Sequence, residues 1–548
     1  YMQSISAAPH RLLFLTVNCS FSHSSLALPL LHSACKDLTN WEWLRCDTTN
    51  GGDIMSTVSA IYACQPDVLA VDLYLFNRQC ALEILERYHA LNPRCRIVAG
   101  GPECLGSGAE DLLKSYPWLD CVFRGEGENI FRQYLEEFDF SGIPAGRILP
   151  AEGNAYAEKW SVSDYPVNDP FFTADKPFVQ IETSRGCPMK CFYCTSGNTN
   201  LRYRSLEQVQ EELSILSAKG VKEVRVLDRT FNLPQTRGAA LLRIFREKFP
   251  HMRFHLELHP QFLDEQLQDE LKNALPDQLH IEAGIQCLNS KVQELIGRNS
   301  NTEKVLSGLA FLAGQSAFET HADLIAGLPG QQWNDILSDT VQLMTLEIAE
   351  IQLEVLKVLP GTPLREIAAE HAISYSPVAP YDVMQSNTMS LLDIQHARDL
   401  SRLLDITYNN SYLHTPALSM LRECPDFVKK LLEFFHHTGG SCNTVWDLKK
   451  RFLFMFDFCR TYNLQQSQAV LAYQWLIAGF LPGQGPDEYS CKIENIPENT
   501  TLIAGNESCR GERESRYWSF KLNGTVYYLA YNRKYALNRP AAIWKMAL

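Results

Sequence analysis

No run of apolar residues in this chain is long enough to cross a bilayer, which takes about 20. The longest, Ala469 to Leu481, is interrupted by Gln474. No basic start followed by an apolar segment marks a secretory signal, so no membrane partner is expected. Cations are in deficit too. A formal net charge of −13 over 548 residues argues against a nucleic-acid binder, whose phosphate contacts need basic surface. The 17 cysteines fall at irregular spacings, without the pattern of a disulfide framework. Free thiols suit a reducing cytoplasm. Asn18-Cys19-Ser20 fits a glycosylation sequon, which would matter only in a secreted protein. The GxGxxG dinucleotide fingerprint is missing, and so is any repeat or low-complexity tract. What is present is a globular composition, 45% hydrophobic, with room for roughly two to four domains.

One stretch dominates what is there: Cys187-Pro188-Met189-Lys190-Cys191-Phe192-Tyr193-Cys194. Thiolates at this spacing in a short loop can converge on one iron–sulfur cluster. A [4Fe–4S] cluster has four irons, so three cysteines leave one iron open to a non-protein ligand. A structural zinc site, which usually wants four ligands, and three unrelated thiols are the rival readings. The other cysteines do not suggest a second cluster. Cys442, Cys459, Cys491 and Cys509 are scattered, and Cys19, Cys35 and Cys46 show no loop-like convergence.

Around that loop, apolar runs alternate with amphipathic stretches. Strands are predicted at 12–17, 41–46, 68–75, 97–100 and 121–124, with helices near 26–38, 52–64, 78–90, 107–116 and 127–138. This is a doubly wound α/β pattern with a parallel sheet over 1–138, whose ligands bind at the carboxyl ends of the strands. Loops at those ends carry Asn18 to Ser25, Gly100-Gly101-Pro102-Glu103 and Gly125-Glu126-Gly127-Glu128, where glycines admit close approach. Residues 139–176, rich in Pro, Gly and Asp, read as a linker. Alternation resumes over 177–375. Strands are predicted at 178–183, 223–227, 253–258, 280–284, 320–325 and 350–357, with helix starts at Ser205 and Ser290. Residues 376–548 begin with an irregular segment to Ser390. Helices follow near 391–408, 414–437, 444–461 and 465–480, then a hairpin around Asn523-Gly524.

The CxxxCxxC loop resembles that of the radical SAM family. The GGPE and GEGE loops that precede it resemble those of its cobalamin-dependent members. That resemblance implies a Rossmann-like cobalamin domain, a partial (β/α)6 barrel and a helical C-terminal domain of uncharacterised role. It implies three cofactors: a [4Fe–4S] cluster on Cys187, Cys191 and Cys194, S-adenosylmethionine, and cobalamin. It places Tyr193 near the adenine, and makes Glu257, Gln286 and Asp228 candidates for S-adenosylmethionine at the strand ends. Gly327, Leu328 and Gly330 would shape a turn against the same cofactor. It assigns cobalamin to Asn18, Ser22, His23, Ser24, Ser25, Gly100, Gly101, Glu103, Gly125, Glu126, Gly127 and Glu128. The Asp-x-His-x-x-Gly motif that carries a cobalt-ligating histidine is not in register here. His23 is therefore expected to be a loop hydrogen-bonding residue, with Ser24 and Ser25 as caps for the helix from Leu26.

The implied activity is methyl transfer to an unactivated carbon, by a 5′-deoxyadenosyl radical and methylcobalamin. The substrate is a small molecule or peptide, and a flavodoxin or ferredoxin supplies electrons. The alternatives are a radical rearrangement, cyclisation or ring contraction without methyl transfer, and a non-catalytic cluster and corrinoid carrier. A tRNA methylthiotransferase would want a second three-cysteine set. Substrate should lie between the barrel mouth and the cobalt, with Tyr381 and Met384 bordering the gap.

Overall fold

The segment His10–Asn18 (β1) is apolar through its whole middle, and Leu12 to Val17 are buried. A strand so apolar on both faces must be covered on both. In a computed structural model, which describes residues 8–138, 146–158, 160, 166–480, 490–522, 524–536 and 539–546, β1 is central in a parallel sheet. Its partners are Trp41–Thr49 (β2), Val68–Asp72 (β3), Arg96–Gly100 (β4), Cys121–Phe123 (β5) and Arg147–Leu149 (β6). The order is β2-β1-β3-β4-β5-β6, all parallel. Leu13, Leu15 and Val17 pack on one face with the helices Ile54–Cys64, Arg78–Leu91 and Gly108–Ser115. Leu12 and Phe14 pack on the other with Ala27–Cys35 and Gly127–Glu136. The strand order reverses between β1 and β3, which opens a crevice at their carboxyl ends. β6 falls inside the expected linker. Three residues carry no readable period, and only pairing with β5 makes them a strand. The rest of that linker lies partly outside the described residues.

All six strands expected in the central region form. Val179–Ile181 (β7) is followed by a hairpin, Ser184–Cys187 (β8) and Thr199–Tyr203 (β9), which periodicity does not reveal. Glu223–Val226 (β10), Arg253–Leu258 (β11) and Leu279–Gln286 (β12) run parallel to β7 in the order β12-β11-β10-β7. Their apolar residues alternate into a core with Val209, Leu213, Leu241 and Phe245 of the covering helices. Helix Leu206–Ala218 starts at Ser205 with a full capping box, Ser205 against Gln208. Helix Ser290–Leu295 is capped by Asn289, one residue earlier than expected.

The chain divides into two units: Tyr1–Thr320, Gly327–Gln332 and Val355–Leu391 in one, His321–Ala326, Trp333–Glu354 and Leu392–Leu548 in the other. Glu319–Ala326 (β13) neighbours Glu350–Val355 (β14), and most of both lies in the second unit. Ser374–Tyr375 (β15) and Val383–Gln385 (β16) pair antiparallel within the first. The helix expected over 414–437 is two, His414–Glu423 and Phe427–His437. Pro425 cannot donate to the helix ladder, and Asp426 turns left-handed at φ +56°. The expected hairpin is part of a larger antiparallel sheet. Its strands are Ser490–Ile493 (β17), Thr500–Gly505 (β18), Arg516–Leu522 (β19), Thr525–Tyr531 (β20) and Ala542–Met546 (β21), in the order β17-β19-β20-β21-β18. Asn523 lies outside the described residues. Among them, no helix is long and apolar enough to cross a membrane.

Candidate functional site

The cysteine loop is carried on the β8–β9 hairpin, and Asp228 pins the hairpin's base. Its carboxylate, beyond the end of β10, accepts from the Thr183 amide (2.7 Å), the Thr183 hydroxyl (2.5 Å) and the Ser184 amide (2.9 Å). Asp228 therefore holds two backbone amides with Oδ1 and a side-chain hydroxyl with Oδ2, instead of standing open at the mouth. Within the loop, the Thr199 hydroxyl accepts from the Cys187 amide and donates to the Ser196 carbonyl. The Cys194 amide bonds the Cys191 carbonyl, and Asn198 bonds Met189. Gly186 sits at φ +92°, where an added Cβ would lie 2.1 Å from the Asn200 carbonyl oxygen. No side chain fits there, so the loop can begin with its backbone against β9.

Cys187 and Cys191 are buried, Cys194 is half-buried, and none is in a disulfide. Their three sulfurs do not all fall within 4.8 Å of one another. Two polar groups reach these sulfurs. Thr230 Oγ1, whose hydroxyl donates to the Arg229 carbonyl at 2.7 Å, stands 3.4 Å from Cys187 Sγ, and Arg298 Nη1 donates to Cys191 Sγ at 3.7 Å. Arg298 is itself buried and held by the Gly284 carbonyl. Both lie far from the cysteines along the chain, and no local pattern marks Arg298.

At the strand ends beside the loop, Glu257 closes β11 next to Glu282 of β12. Burial pushes its carboxyl up to about 7; Arg229, 3.8 Å away, opposes the rise and Glu282 adds to it. Gln286 ends β12 in a left-handed turn at φ +70°. Tyr193 is half-buried in the loop, beside the Arg298 guanidinium. Leu328 is wholly buried, and Gln331 Oε1 accepts from the Gly327 and Leu328 amides to close the turn there.

A cavity of about 400 Å³ lies in the same unit, with the carboxyl ends of the N-terminal sheet on one side. Ala99, Gly100, Gly101, Gly125 and Gly127 line it and offer no side chain beyond a Cβ, so this wall is flat. Gly101 (φ +98°) and Gly125 (φ +96°) run so close to Leu73 and Ala155 that a Cβ would fall 2.6 Å and 2.1 Å from their carbonyl oxygens. Facing that wall are Arg185, Gly186, Thr195 and Ser196 of the cysteine hairpin, with Leu227 and Arg229 after β10. The two loop systems thus bound one space.

The acidic residues of the glycine loops are engaged. Glu128 accepts from Arg185 at 2.7 Å, and Arg185 also bonds Glu182. Glu126 accepts from both terminal nitrogens of Arg202 and from the Ala157 amide. Burial works to raise the Glu126 carboxyl, but Arg202 and that amide outweigh it and hold it below its ordinary value. Glu103 is buried under the sheet edge. It accepts from Tyr381 Oη at 2.8 Å and Arg78 Nη1 at 3.3 Å, and burial raises its carboxyl. Tyr381, expected to border the substrate gap, is 4% exposed and latched to Glu103 instead, while Met384 is 40% exposed.

In the first loop, none of Asn18, Ser22, His23, Ser24 or Ser25 lines the cavity. Asn18 accepts from the Asn50 amide, and His23 bonds Ser20 at 2.8 Å and packs edge-on against Phe178. Burial, then Arg225, lowers the His23 pKa. Ser25 accepts from the Ala27 amide and donates to Asp72, which does line the cavity. Ser22 and Ser24 are half-buried beside them. Among the described residues, none that lines the cavity is His, Cys or Met, so those residues offer no imidazole or sulfur donor.

Residues 181–340 match the radical SAM superfamily, and 369–481 match a protein of unknown function (DUF4080). The chain is 23% identical over 380 residues to an uncharacterized methyltransferase, PH0819, of Pyrococcus horikoshii, covering 64% of this chain and 80% of that one. It is 23% identical over 192 residues to the cobalamin-dependent radical SAM methyltransferase TokK of Streptomyces tokunonensis, 31% of this chain and 28% of that one. In fold it resembles the methyltransferase TsrM of Kitasatospora setae (TM-score 0.55, 18% identity, 68% of this chain and 79% of that one). It also resembles the cobalamin-dependent radical enzyme OxsB (TM-score 0.53, 13% identity, 85% and 80%).

Proposed function

We propose that this chain, a radical SAM enzyme with the fold of the cobalamin-dependent members, is a methyltransferase acting at an unactivated carbon. The observation that carries this is a cavity bounded by both the glycine-edged strand ends and the cysteine hairpin. With cluster, S-adenosylmethionine and cobalamin bound, such a site is supplied with a 5′-deoxyadenosyl radical and a transferable methyl group.

In this reading Cys187, Cys191 and Cys194 hold the cluster and leave one iron open. Arg298 donates a hydrogen bond to one of its thiolates, and Thr230 packs its hydroxyl against another. Tyr193, Glu257 and Gln286 bind S-adenosylmethionine, and Asp228 positions the hairpin. Gly100, Gly101, Gly125 and Gly127 give the corrinoid a flat seat. The half-buried ion pairs at Glu126 and Glu128 fix that seat against the hairpin, so the reacting groups meet by position and not by diffusion. Residues 1–138 carry the corrinoid, 177–375 form the barrel, and 376–548 contribute to substrate binding. The substrate is a small molecule or peptide, the electron donor a flavodoxin or ferredoxin, and the compartment a reducing cytoplasm.

The test supplies anaerobically reconstituted protein and a metabolite extract with methyl-deuterated S-adenosylmethionine. Mass spectrometry should show a product carrying the deuterated methyl. 5′-Deoxyadenosine without methyl transfer would favour rearrangement. Undiminished 5′-deoxyadenosine from the triple Cys→Ala variant would sink the radical reading altogether.

A further inference from the structure

Asp72 ends β3 at the reversal of strand order, lines the cavity, and is 4% exposed. Its Oδ2 accepts from the Ser25 hydroxyl at 2.6 Å. Its Oδ1 is buried with no hydrogen-bond partner among the described residues. A buried carboxylate oxygen left unpaired is expensive, and native folds rarely keep one without a use. The walls around it are apolar: Phe14, Leu26, Val71, Ala99 and the backbone of Gly100. Its basic neighbours along the cavity are engaged elsewhere, Arg185 with Glu128 and Glu182, Arg202 with Glu126. Burial pushes its carboxyl up to about 6, with the Ser25 hydroxyl opposing. Ser25 is fixed in turn by the Ala27 amide, so the carboxyl is held in one orientation. What is missing is one hydrogen-bond donor arriving from the cavity.

A corrin ring bears primary amides around its rim, and each offers N–H donors. We propose that Asp72 anchors the corrinoid by accepting, through Oδ1, a hydrogen bond from one of these peripheral amides, with Ser25 orienting the carboxyl. This rests on the cobalamin reading above and adds the residue that sets how the ring is seated.

The experiment titrates the full reconstituted chain with hydroxocobalamin and with cobinamide, which keeps the ring amides but lacks the nucleotide tail. Binding is read by absorbance, in wild type, Asp72→Ala and Asp72→Asn. Asp72→Ala should bind both corrinoids about ten- to a hundredfold more weakly, as loss of a hydrogen bond to a charged acceptor requires. Asp72→Asn, which keeps the shape and one oxygen, should fall between. The Co(II) electron paramagnetic resonance signature should stay unchanged, because the contact is to the rim and not the metal. Iron content reports whether a variant has folded, and Asp72→Asn decides the matter if Asp72→Ala has not. Wild-type affinity in the variants overturns the proposal. So does a loss confined to hydroxocobalamin, or a shifted cobalt signature. Failure of the wild type to bind either corrinoid overturns the cobalamin reading itself.

Discussion

Arg298 is the side chain on which the candidate cluster most depends beyond its own ligands. It is a buried guanidinium with one N–H on the Cys191 sulfur. Hydrogen bonds to cluster sulfurs draw electron density off them and raise the reduction potential. Arg298→Met should therefore lower the potential of the reconstituted cluster, by on the order of tens of millivolts. A redox titration followed by electron paramagnetic resonance reads this, and an unmoved potential would leave Arg298 a purely packing residue. Glu257 makes a prediction of a different kind. Its carboxyl titrates near 7, raised by burial. Stability tied to its neutral form is fully present below the unfolded value of about 4.3 and is lost as pH rises through about 7. Glu257→Gln should thus stabilise the apo protein at pH 8, by on the order of 1 kcal/mol, and do little at pH 4. Denaturant melts at the two pH values check the sign.

At the scale of elements, the β8–β9 hairpin is the part that sequence periodicity could not supply. It is short, it carries the cysteine loop, and its register is set by partners from other elements. Arg185 of β8 reaches Glu128 on the first turn of Gly127–Glu136, and Arg202 of β9 reaches Glu126 at that helix's N-cap. Glu128→Gln leaves the half-buried Arg185 guanidinium with Glu182 alone, which should cost about 2 kcal/mol. It should also speed hydrogen exchange across 184–203, and a double-mutant cycle with Arg185→Gln would isolate the pair. Equal exchange in wild type and variant would mean that the hairpin does not depend on the Arg185–Glu128 pair. The segment around Tyr381 behaves similarly. It reads as irregular sequence, yet β15–β16 and the Tyr381–Glu103 bond tie it to the GGPE loop. A glycine interlock reinforces the tie, for a Cβ on Gly106 would lie 2.6 Å from Gly361 Cα.

For the whole molecule, the cavity and the cysteine loop share walls but are held by different bonds. The loop hangs on Asp228, Thr199 and Asn198, and the flat wall on Gly101 and Gly125. Gly100 lines the cavity and has room for a Cβ, its nearest neighbour being Phe123 Cβ at 3.8 Å. Gly100→Trp should project an indole into the space, abolish cobalamin binding at micromolar concentration, and leave cluster assembly intact. Absorbance titration and iron analysis measure the two separately, and loss of both together would show that the sites are not independent.

The chain alone determined the alternation of strand and helix, the cysteine triplet and the glycine turns. Each of these is written locally, in a period of two or 3.6 residues, a spacing of three or four, or a position where only glycine can pass. Tertiary structure alone decided which polar groups face the cavity. Asp228, Glu103, Glu126 and Glu128 all read as free strand-end carboxylates, and each is taken by a partner between 25 and 278 residues away. Asp72, with no motif around it, keeps the open oxygen. The reason is physical. A side chain's type is local, but whether its charge is satisfied depends on which distant elements the packing brings within about 3 Å.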